Sequence, residues 1–195
     1  MNCALRLENI SANATHKEIF DVFHEGKIFS FSKKDPVPGH FTNCAGRLVF
    51  MTRAATEAFL QRAQTVGASI RGEYMKVIWN RDKCCPAKES EHHQSRVIQI
   101  AGPQGEFDAL GVEQMLHKKL NFELVDSGEL VGGGRRVVEL QFASILGQSR
   151  VAVRDLNEYL SRNNMVDRFE IWYAPDPCDR VPLDASSTSW NWNST

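Results

Sequence analysis

Alternation of apolar and polar residues with period 2 marks candidate strands, and apolar residues at helical spacing mark what joins them. Leu5-Arg6-Leu7-Glu8-Asn9-Ile10 alternates, which predicts a strand over Ala4–Ile10. Its Leu5 and Leu7 turn to a core, and its Arg6 and Glu8 to an open face. Thr15 with Glu18 three residues on is a capping box. Ile19, Phe20, Val22 and Phe23 then supply the apolar stripe of a helix that Gly26 ends. Ile28–Ser32 is the next strand. The stretch from Lys33 to His40 is irregular, because Pro36, Pro38 and Gly39 fall within four residues. Asn43–Phe50 is a third strand, and Thr52 to Gln64 a second helix. Tyr74–Asn80 is a fourth strand, with Met75, Val77 and Trp79 on one face and Lys76, Ile78 and Asn80 on the other.

The order is βαββαβ, and it repeats about 92 residues later. Arg96–Ala101, Phe122–Asp126, Arg135–Phe142 and Phe169–Tyr173 are strands. Phe107–Leu120 and Gln148–Arg162 are helices, and Gly132-Gly133-Gly134 is a flexible loop. The predicted fold class is α+β, with two ferredoxin-like βαββαβ domains in tandem. Residues 1–83 form the first, residues 84–95 a polar linker with Pro86, residues 96–175 the second, and residues 176–195 a flexible polar tail. Trp190 and Trp192 in that tail are a candidate docking motif for a protein partner.

Composition narrows the function by exclusion. A net charge of -1 gives no global pull towards nucleic acid or acidic membranes. No apolar run is long enough to span a bilayer, and no basic segment followed by an apolar core marks a secretory signal. The expectation is an intracellular protein, in nucleus or cytoplasm. Five cysteines without CxxC spacing suit reduced thiols better than a disulfide framework. His92-His93 and Cys84-Cys85 fit no zinc pattern. No nucleophile elbow, Walker loop or dinucleotide fingerprint occurs. The chain is therefore expected to be no enzyme, with no metal, no cofactor and no small-molecule substrate.

Charge is split between the halves. Residues 1–83 hold 12 Lys/Arg against 8 Asp/Glu, and residues 96–174 hold 9 against 11. The first half is the one that attracts phosphate.

Both halves resemble the RNA recognition motif. Leu5–Ile10, with Asn9, is similar to that family's strand-one hexamer, and Asn43–Phe50 to its strand-three octamer. The resemblance implies a sheet in order 4-1-3-2 whose open face binds single-stranded RNA by stacking bases on aromatics. Here all six stacking positions depart from the family pattern: Arg6, Ala45 and Arg47 in the first half, and Gln99, Val137 and Glu139 in the second.

Each stacking platform contributes roughly 1–3 kcal/mol per base, so their loss predicts weak binding. A guanidinium can itself stack on a base and contact phosphate. The candidate RNA-binding residues are therefore Arg6, Glu8, Phe29, Ala45, Arg47, Lys76 and Ile78 in the first domain. Gln99, Arg135, Arg136 and Val137 are the candidates in the second. Lys27, Lys33 and Lys34 extend the basic track, and Phe29 or Phe31 faces outward. Arg135 and Arg136 with the glycine loop form either a phosphate clamp or a plain hairpin. The alternative function is a protein-interaction adaptor, in which the degenerate domains bind a protein in an RNA-processing complex.

Overall fold

Cross-strand pairing of the alternating segments builds the first sheet. In the computed structural model, which describes residues 1–37 and 39–180, β1 (Ala4–Ile10) lies between β3 (Cys44–Phe50) and β6 (Lys76–Trp79). The edge strand β2 (Ile28–Lys34) pairs with β3, giving the order β2-β3-β1-β6. Leu5, Leu7, Leu48 and Val77 point to the helical side and are buried. Thr15 caps α1 (His16–Phe20) through the reciprocal box with Glu18. That helix is shorter than its apolar stripe predicts. Arg62 draws the following chain out of helical geometry by donating to the Val22 carbonyl at 2.6 Å and pairing with Glu25 at 2.5 Å. Thr52 caps α2 (Arg53–Thr65). A small hairpin of β4 (Ser69–Ile70) and β5 (Glu73–Tyr74) precedes β6.

The second sheet has the order β10-β7-β9-β8, built from β7 (Val97–Pro103), β8 (Leu124–Gly132), β9 (Arg135–Phe142) and β10 (Glu170–Tyr173). The helices α3 (Ala109–His117) and α4 (Arg150–Arg162) cover one face, with Val112, Leu116, Ala152, Leu156 and Leu160 turned inward. Strand β8 runs six residues beyond its predicted end at Asp126, pairing with β9 up to Gly132↔Arg135. This leaves Gly133 and Gly134 as a two-residue turn with φ of 57° and 74°. Positive φ at both central residues is the type I′ geometry that matches strand twist, and glycine meets it at the lowest steric cost. The glycine run is thus a hairpin turn.

A β-bulge in β2 between Ile28 and Ser30 settles which phenylalanine faces the core. The extra residue shifts the register, so Ile28 and Phe31 both point inward. Phe31 joins a ring cluster with Phe20, Phe23, Phe50 and Phe59 at centroid separations of 5.3–6.4 Å.

The two units share a core. Ala143 and Cys178 belong to the first unit's hydrophobic cluster, and Val125 packs against it. Edge strand β2 is closed by the second unit: Phe31 N donates to Ala143 O at 3.1 Å, and Ser144 Oγ donates to Phe31 O at 3.1 Å. Arg96 and Asp176 pair at 2.9 Å with both side chains 0 % exposed. Asp176 Oδ2 also accepts from Ile28 N at 2.9 Å, and the Arg96 guanidinium lies 4.4 Å from the Phe20 ring centre. Asp176 and Cys178, read in the sequence as the start of a polar tail, are therefore part of the core. An unprotected carboxylate looks polar in a sequence, and only its buried partner reveals otherwise.

The linker is docked as well. Cys3 N donates to Cys84 O at 2.7 Å, Ala87 N to Met51 O at 2.9 Å, and Lys27 Nζ to His92 O at 2.9 Å. Arg150 holds its end through Glu91 and Gln94.

Packing ranks the cysteines by reactivity. Cys85 is exposed, Cys84 half-buried, and Cys3, Cys44 and Cys178 buried. Burial, reinforced by Asp176, pushes the Cys178 thiol up to about 12. Alkylation requires thiolate. Iodoacetamide at pH 8 is expected to modify Cys85 first and Cys84 more slowly, with the other three reacting only after unfolding, as read by peptide mass mapping. Early modification of Cys178 contradicts the shared core.

Candidate nucleic-acid interface

The outer face of the first sheet carries Arg6 at its centre. Register places Arg6 directly opposite Arg47 on β3 and Ile78 on β6, and Glu8 opposite Lys76. Ser32 and Lys34 of β2 stand opposite Arg47 and Ala45. Two like charges facing each other across a ladder repel. Glu8 offsets this on one side only, bonding Arg6 Nε at 2.7 Å and Lys76 Nζ at 3.1 Å. Those bonds, Arg6 first, hold the Glu8 carboxyl below the usual carboxylate range. Among the described residues Arg47 and Lys34 have no carboxylate partner. The face thus presents a surplus of positive charge along Arg47 and Lys34.

Not every lysine of the predicted track contributes. Lys33 turns away, its Nζ donating to Ala14 O at 3.2 Å, and Lys27 is committed to the linker. Phe29 is half-buried against the apolar cluster of Cys3, Ala4 and Val49, which Cys84 covers from the linker. One end of the face is therefore closed, and the end around Arg6 and Arg47 stays open.

Beside the open end lies a groove of about 600 Å³ between the sheet and the β2–β3 connection, walled by Arg6, Glu8, Lys34, Asn43 and Ala45. Asn9, at φ 64°, donates to Tyr74 O at 2.8 Å and accepts from Asn43 Nδ2 at 2.5 Å, which fixes the groove's floor. On its rim stands Phe41, 69 % exposed. Sequence reasoning missed Phe41 because it follows a Pro/Gly loop without periodicity. A lone aromatic in the loop next to a sheet face was the available signal.

The second sheet's outer face differs. Gln99 lies opposite Glu139 and Trp172. Gln99 Nε2 donates to one Glu139 oxygen at 2.7 Å and Gln141 Nε2 to the other at 2.9 Å. Val137 sits between Ala101 and Leu130, the latter 72 % exposed. Arg135 is paired with Glu170 at 3.0 Å. Arg136, expected on this face, points instead to the helical side, where it donates to Phe107 O at 2.6 Å and neighbours Glu129 at 3.4 Å. Period 2 puts neighbours on opposite faces, so Arg135 and Arg136 form no common clamp. Trp172, 38 % exposed on this face, was missed, although the alternation Ile171-Trp172-Tyr173 announces it.

Among the described residues no group of three or more His, Cys, Asp or Glu side chains gathers as a metal site. No helix among them is long and apolar enough to cross a membrane. Trp190 and Trp192 lie outside the described residues.

No protein-family model and no curated protein matches the chain. Among solved structures it is similar to RNA recognition domains 1 and 2 of Sex-lethal from Drosophila melanogaster, at 14% identity and TM-score 0.35, covering 89% of this chain and 100% of that one. The first two RRM domains of yeast poly(U) binding protein Pub1 align at 12% identity and TM-score 0.33, covering 88% and 99%. The N-terminal three RNA binding domains of the yeast splicing factor Prp24 align at 11% identity and TM-score 0.36, covering 89% of this chain and 64% of that one. At such identities and scores these likenesses carry no functional argument. The fold, two βαββαβ units in tandem, stands on strand order and register.

Proposed function

We propose that the protein binds single-stranded RNA without catalysis, mainly on the open face of the first sheet. The observation that supports this reading best is the direct opposition of Arg6 and Arg47 on the two central strands. Glu8 occupies Arg6, and Arg47 keeps its charge free beside Lys34. Arg47 and Arg6 take the places of stacking aromatics, offering planar cations to bases and donors to phosphate. The groove beneath the β2–β3 connection, rimmed by Phe41, holds an unstacked base. Closure of the other end of the face by the linker limits the site to a few nucleotides, so binding is weak.

Fluorescence anisotropy with a randomised single-stranded RNA pool tests the reading. We expect affinity on the order of micromolar at about 50 mM salt, falling steeply by about 200 mM. The change Arg6→Ala with Arg47→Ala should reduce the salt slope by about 1.4, the share of two single-strand phosphate contacts. Glu8→Gln should act in the opposite direction, strengthening binding by releasing Arg6 and Lys76. Binding indifferent to both changes would refute this face.

The second face supports a second reading. Glu139 repels phosphate, and Trp172, Val137 and Leu130 offer apolar contact area that suits protein better. On that reading the second unit is an adaptor for a protein partner.

A further inference from the structure

The helical side of the second unit is incompletely filled. Between α3 and α4 a cleft of about 370 Å³ opens onto core side chains, with Ile100, Val112, Leu156 and Phe169 on its floor. Its volume is within the range of ligand pockets, and its lining is mainly apolar. A second cleft of about 260 Å³ continues it along the helices, sharing Met115, Lys118 and Tyr159. Tyr159 is 41 % exposed at this junction, and Leu110 of α3, nearby in sequence to the lining residue Gly111, is 63 % exposed. A close-packed interior leaves few voids larger than a water molecule. A groove of this volume over packed core side chains has room for an external side chain.

The charges at its mouth select the occupant. Glu106 is neutralised by Arg168, and Asp155 by Arg154. Lys118 and Lys119, where α3 ends, line the clefts and have no carboxylate partner among the described residues. The uncompensated charge is positive, and the floor is apolar.

We infer that this groove docks a short acidic segment of another protein, anchored by one large aromatic side chain. The anchor fills the cleft between Val112 and Leu156, as buried aromatics do at binding hot spots. Its flanking carboxylates meet Lys118 and Lys119, which set orientation and partner choice. This site uses neither sheet face, so its failure leaves the RNA reading untouched, and it gives the adaptor reading a partner of stated chemistry.

The test uses the intact chain and a fluorescein-labelled peptide of about a dozen residues, with one central Trp flanked by Glu. A companion peptide carries Lys in place of Glu. The Glu peptide is expected to bind, with amide NMR shifts confined to α3 and α4. Lys118→Glu with Lys119→Glu should weaken it by about tenfold, a 1.4 kcal/mol change, and favour the Lys peptide instead. These are surface changes, so the dispersed amide spectrum should persist. No binding up to about 1 mM, shifts on a sheet face, or indifference to charge reversal would overturn the inference. So would binding seen only in the Trp190→Ala, Trp192→Ala variant, since the chain's own C-terminal segment would then be the occupant.

Discussion

Asp176→Ala is expected to lower the unfolding free energy by about 3–5 kcal/mol, and with it the thermal midpoint by about 6–20 °C. The reason is the company Asp176 keeps. Its carboxylate receives Arg96 at 2.9 Å, Ile28 N at 2.9 Å and Cys178 N at 3.0 Å, all away from water. Truncation leaves a guanidinium buried without a counter-charge and two backbone donors unpaired, and the unmet desolvation decides the size of the effect. Replacing both members, Arg96→Met with Asp176→Leu, removes the stranded charge and should recover part of the loss. Denaturant unfolding measures both. A loss below about 1 kcal/mol for Asp176→Ala would mean that the pair is exposed to solvent, as surface pairs of that strength are.

Phe23→Ala is the second large effect, about 3–5 kcal/mol, from lost transfer energy and the cavity left behind. Phe23 is buried and meets four rings, those of Phe20, Phe31, Phe50 and Phe59, each on a different element. No single neighbour can relax to fill the space. Phe20 touches both Phe23, at 5.6 Å, and the Arg96 guanidinium, at 4.4 Å. Combined with Asp176→Ala, the change should therefore depart from additivity by about 0.5–3 kcal/mol. Additive losses would show that the ring cluster and the Arg96–Asp176 pair fold as separate cores.

The open face of the first sheet shows how far a one-dimensional pattern reaches. Arg6, Glu8, Arg47, Lys76 and Ile78 share a surface because strand parity and the 4-1-3-2 order place them there; parity was legible from alternation, and the order was what the resemblance to the RNA recognition motif implied. The ion pairs of Glu8 were not legible: which of two arginines it engages depends on side-chain reach across a ladder. Lys33 was misplaced for the related reason that the β2 bulge changes parity by one residue. Arg136 follows parity, and its reading as a clamp partner of Arg135 set that parity aside.

Element order, both sheets' core faces, the Thr15 capping box and the repeat were properties of the sequence by itself. They are local, and backbone geometry converts them into structure with little help from distant residues. The relation between the units belongs to the tertiary structure alone. Arg96 read as the start of a strand and Asp176 and Cys178 as tail residues, and they become core only when the second unit closes the β2 edge. Burial of a charge is decided by what lies opposite it, 80 residues away along the chain, and no local pattern encodes that partner. The cleft between α3 and α4 is of the same kind, a shortfall of volume that exists only once both helices are packed on the sheet.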